Sequence, residues 1–169
     1  MPVSRTRMLA KLDDAYRVYF DAVPVEEPLP LLAARYDFHS ADECFVLSRK
    51  VRLWRAETHE FVYVFSVPEL SAEVYETCRG KALELGMARI RPHLEHRSSF
   101  ITALFVCDSM TEDAAGALRR TRHHKDFLLS LHGWMDFRAA AVSLATGAVA
   151  VNRAGRELED FLHGNLEKC

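Results

Sequence analysis

A chain of 169 residues, 49% apolar and 27% charged, has the material for a buried core without disulfides or metal, and it lacks the charge-rich composition of disorder. Its formal charge of −2 supplies no global field toward nucleic acid or an anionic membrane, and no apolar stretch reaches the roughly 18 residues that span a bilayer. These properties lead us to expect one globular domain over 1–169, working in the cytoplasm, with neither membrane nor nucleic acid as a partner.

Leu9, Leu12, Tyr16, Tyr19 and Val23 recur at steps of three and four between Ser4, an N-cap, and Pro24, a stop, and predict an amphipathic helix. Its charges oppose the macrodipole, with Arg5, Arg7 and Lys11 early and Asp13, Asp14 and Asp21 late, so tertiary contacts must compensate. The proline-rich segment Val23 to Pro30 reads as an extended connector. Three strand-like runs follow, Leu32 to Phe38, Cys44 to Trp54 and Glu60 to Val67, parted by polar stretches, and predict an antiparallel meander.

Ser66 and Glu69 have capping-box spacing before a helical run through Tyr75, Cys78, Ala82 and Leu85, which Gly86 can close. A basic link, Met87 to Arg97, leads to the nearly continuous apolar run Ser99 to Cys107, the pattern of a strand covered on both faces. Thr111 can cap a short helix ending near Arg122, after which Phe127 to Leu131 fits either a strand or the end of that helix. Phe137 to Leu144 and Ala148 to Asn152 predict a hairpin turning at Thr146 and Gly147. Asn152 can cap a last helix carrying Leu158, Phe161 and Leu162, with Gly164 beyond its end. The fold class expected is α/β (α+β), a mixed sheet with a three-strand antiparallel meander and helices packed against it.

Four constellations carry candidate chemistry. The order helix, three-strand meander, helix, strand over Ser4 to Cys107 resembles the restriction-endonuclease-like fold. That resemblance implies metal-bound water activated by carboxylates at Asp42 and Glu60, but Val62 stands where the family has a lysine. His93 and His96, with Glu95 between them, are a candidate metal pair, and His39, His59, His123, His124 and His132 could add ligands only if the fold gathers them. Arg119, Arg120, Arg122 and Lys125 form a basic run suited to phosphate, or a solvated helix end. His132, Trp134, Asp136 and Arg138 surround Gly133, and Asp136 and Arg138 share one strand face as an ion pair or a pocket wall.

The His-rich link before Ser98-Ser99-Phe100-Ile101-Thr102, followed by Gly133-Trp134-x-Asp136-x-Arg138, resembles uncharacterised bacterial domain families, a resemblance that implies no activity, cofactor or site. With no Gly-rich phosphate loop, no nucleophile elbow and no Cys-x-x-Cys pair, the reading is a binding or homo-oligomeric module without cofactor or stoichiometric zinc. The alternative is a metal-assisted hydrolase using Asp42, Glu60 or the His93/His96 pair. A homodimer is expected through Trp54, Tyr63 and Phe65 on an uncovered sheet face. Cys44, Cys78 and Cys107 read as reduced and buried, and Cys169 as exposed.

Overall fold

The structure, a computed structural model, describes residues 2–25, 29, 31–46 and 51–169, with positions 41–46 and 51–56 described by their backbone alone. Ser4 opens α1 (Arg5–Tyr16) by accepting a hydrogen bond from the Arg7 N–H. Met8, Leu12 and Tyr16, one turn apart, bury against the sheet, whereas Tyr19 lies beyond the helix and is 80% exposed. The reversed charges are met from outside the helix or just past its end. Arg5 reaches Asp108 at 3.1 Å and the Ser66 hydroxyl at 3.0 Å, while Asp13 accepts from the Tyr36 hydroxyl and from Arg17.

Val23 does not continue α1. It ends a short strand, β1 (Asp21–Val23), which pairs antiparallel with β2 (Leu32–Val46), and β2 pairs antiparallel with β3 (Val51–Leu70). The meander is therefore β1-β2-β3, and of the run Cys44 to Trp54 the described residues 44–46 end β2 and 51–54 begin β3, while 47–50 lie outside the described residues. The polar stretches that suggested turns stay in the ladder, because backbone pairing such as His39 with His59 requires no apolar side chain.

β3 also runs on through Ser66 to Leu70, paired parallel with the following strand, so Ser66 holds Arg5 instead of capping a helix. The cap is Ser71, whose hydroxyl accepts from the Val74 N–H at the start of α2 (Ala72–Arg89). Gly86 lies inside α2 rather than at its end, buried against Ile101. The remaining elements are β4 (His96–Met110), α3 (Glu112–Arg120), β5 (His124–Asp126), β6 (Trp134–Ser143), β7 (Val149–Val151) and α4 (Glu157–Glu167). Thr111 caps α3 through the Ala114 N–H. Gly147 turns the β6–β7 hairpin with φ of +72°.

Among the described residues the seven strands form one mixed sheet in the order β1-β2-β3-β4-β6-β5, with β7 also on β6. β3, β4 and β6 are parallel, which places the crossover helices α2 and α3 on one face and leaves the other to α1 and α4. Alternation then sorts the side chains: Phe61, Phe65, Ile101 and Phe105 face α2 and α3, while Val62, Val64, Leu104 and Val106 face α1 and α4. β4, covered on both sides, is the continuous apolar run.

Tyr63 and Phe65 are each 1% exposed inside the α2 face, so the uncovered aromatic surface expected to make a homodimer is core, and the Trp54 side chain lies outside the described residues. Phe127 to Leu131 is neither strand nor helix end; it is a turn in which Leu128, Leu129 and Ser130 take left-handed φ of 49°, 52° and 68°. Cys78 and Cys107 are buried, and burial pushes their thiols up to about 11 and about 12. Cys169 is half-buried rather than exposed, and the Cys44 side chain lies outside the described residues. Among the described residues no helix is long and apolar enough to cross a membrane.

Candidate functional site

Parallel pairing of β3, β4 and β6 sets Glu60, Phe100, Thr102 and Arg138 on one face, at the end of the sheet where α1 and α4 part. Glu60 and Arg138, singled out in different constellations 78 residues apart, meet there: Arg138 Nη1 lies 3.5 Å from Glu60 Oε1, with side chains 17% and 13% exposed. The Thr102 hydroxyl donates to the same oxygen at 2.9 Å, and the guanidinium carbon sits 3.6 Å over the Phe100 ring. Burial raises the Glu60 carboxyl above its ordinary range, while Arg138 and Thr102 pull it back.

The pair forms the floor of a cavity of about 340 Å³ walled by Tyr16, Tyr19 and Phe20 on one side and by Glu157, Leu158 and Phe161 on the other. Two polar atoms at this site are buried without a hydrogen-bond partner, the Tyr16 hydroxyl and Arg138 Nε. Burial also raises the Tyr16 hydroxyl far above its usual value, so it stays protonated and able to donate.

The wall between β7 and α4 is fixed by Asn152. Its side-chain oxygen accepts from the N–H of Ala139 and of Gly155, and its amide donates to the carbonyls of Thr121 and Phe137. Asn152 is thus no helix cap; α4 begins five residues later with no side-chain cap at Arg156, and Gly164 lies inside it. In the sequence Asn152 reads as a helix cap, and Tyr16 only as part of a helix period. A signal for the site did exist, because Thr102 interrupts an apolar run and a buried polar side chain needs a partner.

The Asp42 side chain lies outside the described residues, so only Glu60 of that constellation can be placed. It faces a guanidinium and a hydroxyl. His93 and His96 do not converge on a common point. His96 is buried, with Nδ1 2.6 Å from the His132 carbonyl and Nε2 2.7 Å from the Ser99 hydroxyl, while His93 Nε2 lies 3.2 Å from Glu57 and its Nδ1 accepts from the Glu95 N–H. His39 and His59 approach through their Nδ1 atoms at 3.1 Å. Burial, then His39, holds the His59 imidazole below its usual value. Among the described residues no three His, Cys, Asp or Glu side chains are placed to share a metal ion.

Asp136 pairs not with Arg138 but with His124, at 2.6 Å, because the antiparallel β5 brings His124 directly opposite. Trp134 packs edge-on against Phe100 with centroids 5.4 Å apart. Of the basic run, Arg119 and Arg120 are exposed on the last turn of α3, Arg122 and His123 line a separate cleft with Arg153, and Lys125 is exposed on β5.

A family model described as a domain of unknown function (DUF8052) matches residues 4–164. No curated protein and no solved structure matches the chain.

Proposed function

We propose that this chain, which belongs to the DUF8052 family, is a binding module whose site is the cavity over the Glu60–Arg138 pair, taking a small molecule with an apolar body. The observation that carries this reading is the buried ion pair on the floor of an aromatic-walled cavity. Replacing a buried pair by apolar residues of similar volume is often neutral or stabilising, so such a pair contributes little as packing, whereas a few polar groups beneath apolar walls are what a ligand site requires. The four hydrogen bonds of Asn152 hold one wall in place before any ligand arrives. Cys78 and Cys107, buried and far from each other in sequence, support a reducing compartment such as the cytoplasm as the place of work.

A fragment library titrated against the isotope-labelled chain tests the reading. Amide shifts should cluster at Tyr19, Phe20, Glu157 and Phe161 and should vanish in Arg138→Met; shifts scattered over the surface, or unchanged in that variant, would refute it. For the metal-assisted alternative, Glu60 Oε1 already accepts from Thr102 and Arg138, and among the described residues no three His, Cys, Asp or Glu side chains are placed to share a metal ion. Self-association is a second reading, favoured by Leu129 and Leu131, 93% and 66% exposed on the turn before β6. Light scattering of Leu129→Ser with Leu131→Ser against the parent chain decides it.

A further inference from the structure

Resting on the cavity reading above, we propose that the ligand class is a small protonated amine with an aromatic or aliphatic body, its ammonium held between Glu60 and Glu157 among the rings that wall the cavity. Charge is the first observation. The charged side chains lining the cavity are Glu60, Glu157 and Arg138, which leaves the lining negative by one. Arg138 is already committed, with Nη1 on Glu60 Oε1 and its guanidinium carbon 3.6 Å over the Phe100 ring. Glu159 and Asp160 in the first turn of α4, against the exposed Arg156, add to the excess. These carboxylates also offset the positive end of the helix dipole, and the N–H groups of Gly155, Leu158 and Glu159 there already donate to the carbonyls of Asn152, Gly155 and Arg156. A monocation therefore brings the lining to neutrality, whereas an anion would meet repulsion.

The second observation is a pair of acceptors without donors. Thr102 and Arg138 both reach Oε1 of Glu60, while Oε2 has no hydrogen-bond partner and is not among the buried orphan atoms, so it is open to the cavity that Glu60 lines. The Glu157 carboxylate, exposed at the rim, has no hydrogen bond or ion pair among the described residues. It lies close enough to Glu60 for its charge to push that carboxyl further up, whereas Arg138 and Thr102 favour the ionised form, so losing Arg138 would weaken the hold on a cation as well. A group that carries positive charge and N–H donors relieves both carboxylates, which selects an amine over a quaternary ammonium. The third observation is the walls. The Tyr16 ring lies 5.1 Å from Phe20 and 5.2 Å from Phe161 between centroids, and Tyr19 stands at the rim, so a cation there is attracted to aromatic rings as well as to carboxylates. A volume of about 340 Å³ with Leu158 in its lining suits a body of a few carbons or a single ring. A neutral alcohol of the same shape would fill these walls and leave the charge unmet.

The test uses the full chain and four probes: phenethylammonium, its neutral isostere 2-phenylethanol, its N-trimethylated quaternary analogue and phenylacetate, titrated by NMR at neutral pH and low salt. Phenethylammonium should bind about ten-fold tighter than the alcohol or the quaternary analogue, and phenylacetate should bind weakest, with shifts at Phe20, Glu157 and Phe161. Glu157→Gln, an exposed change that should leave the fold intact, should cut the preference for ammonium over alcohol several-fold, and Glu60→Gln should abolish it. Tyr19→Leu keeps an apolar wall without its ring and should weaken the ammonium more than the alcohol. Glu60→Gln leaves Arg138 without its partner, so if thermal unfolding shows that variant to be unfolded, Glu157→Gln and Tyr19→Leu decide the matter. Equal binding of ammonium and alcohol, a preference for phenylacetate or the quaternary analogue, or a preference unmoved in Glu157→Gln would overturn the amine class while leaving the cavity as a binding site. If none of the four perturbs the cavity while other library members do, the class again falls and the site stands. If no library member perturbs it either, the cavity reading itself has failed.

Discussion

Asn152 shows how one side chain can carry more structure than its local pattern suggests. It is 2% exposed and ties β6, the end of α3 and the loop before α4 together through four hydrogen bonds. Truncating it to Ala leaves buried donors and acceptors unpaired, each costing about 1–3 kcal/mol, so Asn152→Ala should lower stability by about 3 kcal/mol in urea with an unchanged m-value. A loss below about 1 kcal/mol would mean that water replaces the amide. Two histidines should respond to pH in opposite senses. Asp136 and then Asp126 raise His124 above 6.5, so its contribution to stability is complete below the unfolded value and is lost as pH rises through the folded one. His59, lowered by burial and by His39, contributes fully above 6.5 and loses that contribution as pH falls through its folded value. Proton NMR should find His124 titrating above His59, and Asp136→Asn should bring His124 back toward 6.5 without moving His59. Glu60 stands out in the sequence through the nuclease-like element order and Arg138 through its same-face spacing from Asp136. Their meeting does not, because it depends on the parallel register of three strands.

At the level of elements, pattern and packing part company in identifiable places. The cap and first three turns of α1, the cap of α3 and the two-sided run of β4 are all local or composition signals, and each reads correctly from the residues, although the period carried α1 too far, through Tyr19 to Val23. The start of α2 did not, because Ser66 and Ser71 both precede apolar residues and only pairing of β3 with β4 decides between them. Ser71→Ala should therefore cost about 1 kcal/mol of stability, the usual loss for an N-cap, whereas Ser66→Ala removes only a partly exposed bond to Arg5 and should cost less. Gly86 gives the sharper contrast. In an exposed helix interior Gly→Ala stabilises by about 1 kcal/mol, but here the added Cβ would lie 2.7 Å from Ile101, with little room to shift inside a packed core. Gly86→Ala should destabilise by about 1–3 kcal/mol. Thermal unfolding of Ser66→Ala, Ser71→Ala and Gly86→Ala side by side separates these effects. If Gly86→Ala proves neutral or stabilising, α2 is free to move off Ile101.

Over the whole molecule, the two faces of the sheet hold separate apolar clusters, one under α2 and α3 and the other under α1 and α4, and the same three parallel strands supply both. The basic run remains a local feature on such a body: Arg119, Arg120 and Arg122 are exposed around the end of α3, where the dipole favours cations, and the net charge is −2. Nucleic-acid binding should accordingly be weak even at low salt. Submicromolar duplex binding at physiological salt, lost in Arg119→Ala with Arg122→Ala and falling with a log–log salt slope of about −3 to −4, would show a phosphate-binding stripe instead. The shared strands have a further thermodynamic consequence. Because alternate residues of β4 point into opposite clusters, losing the α1/α4 cluster exposes Leu104 and Val106 on the strand that carries Ile101 and Phe105 for the other face. Neither cluster can open without uncovering the backbone on which its neighbour is built, so the two should melt together. Urea unfolding followed by tryptophan fluorescence and by far-ultraviolet circular dichroism should give superimposable transitions, and the calorimetric and van't Hoff enthalpies should agree. Refolding should be slow for the chain's size, since β3, β4 and β6 pair only after helical crossovers are closed. Leu104→Ala, which removes side-chain volume from the α1/α4 face alone, should move both optical transitions equally by about 2–5 kcal/mol. Two separated transitions in that variant would show that the faces fold as independent units.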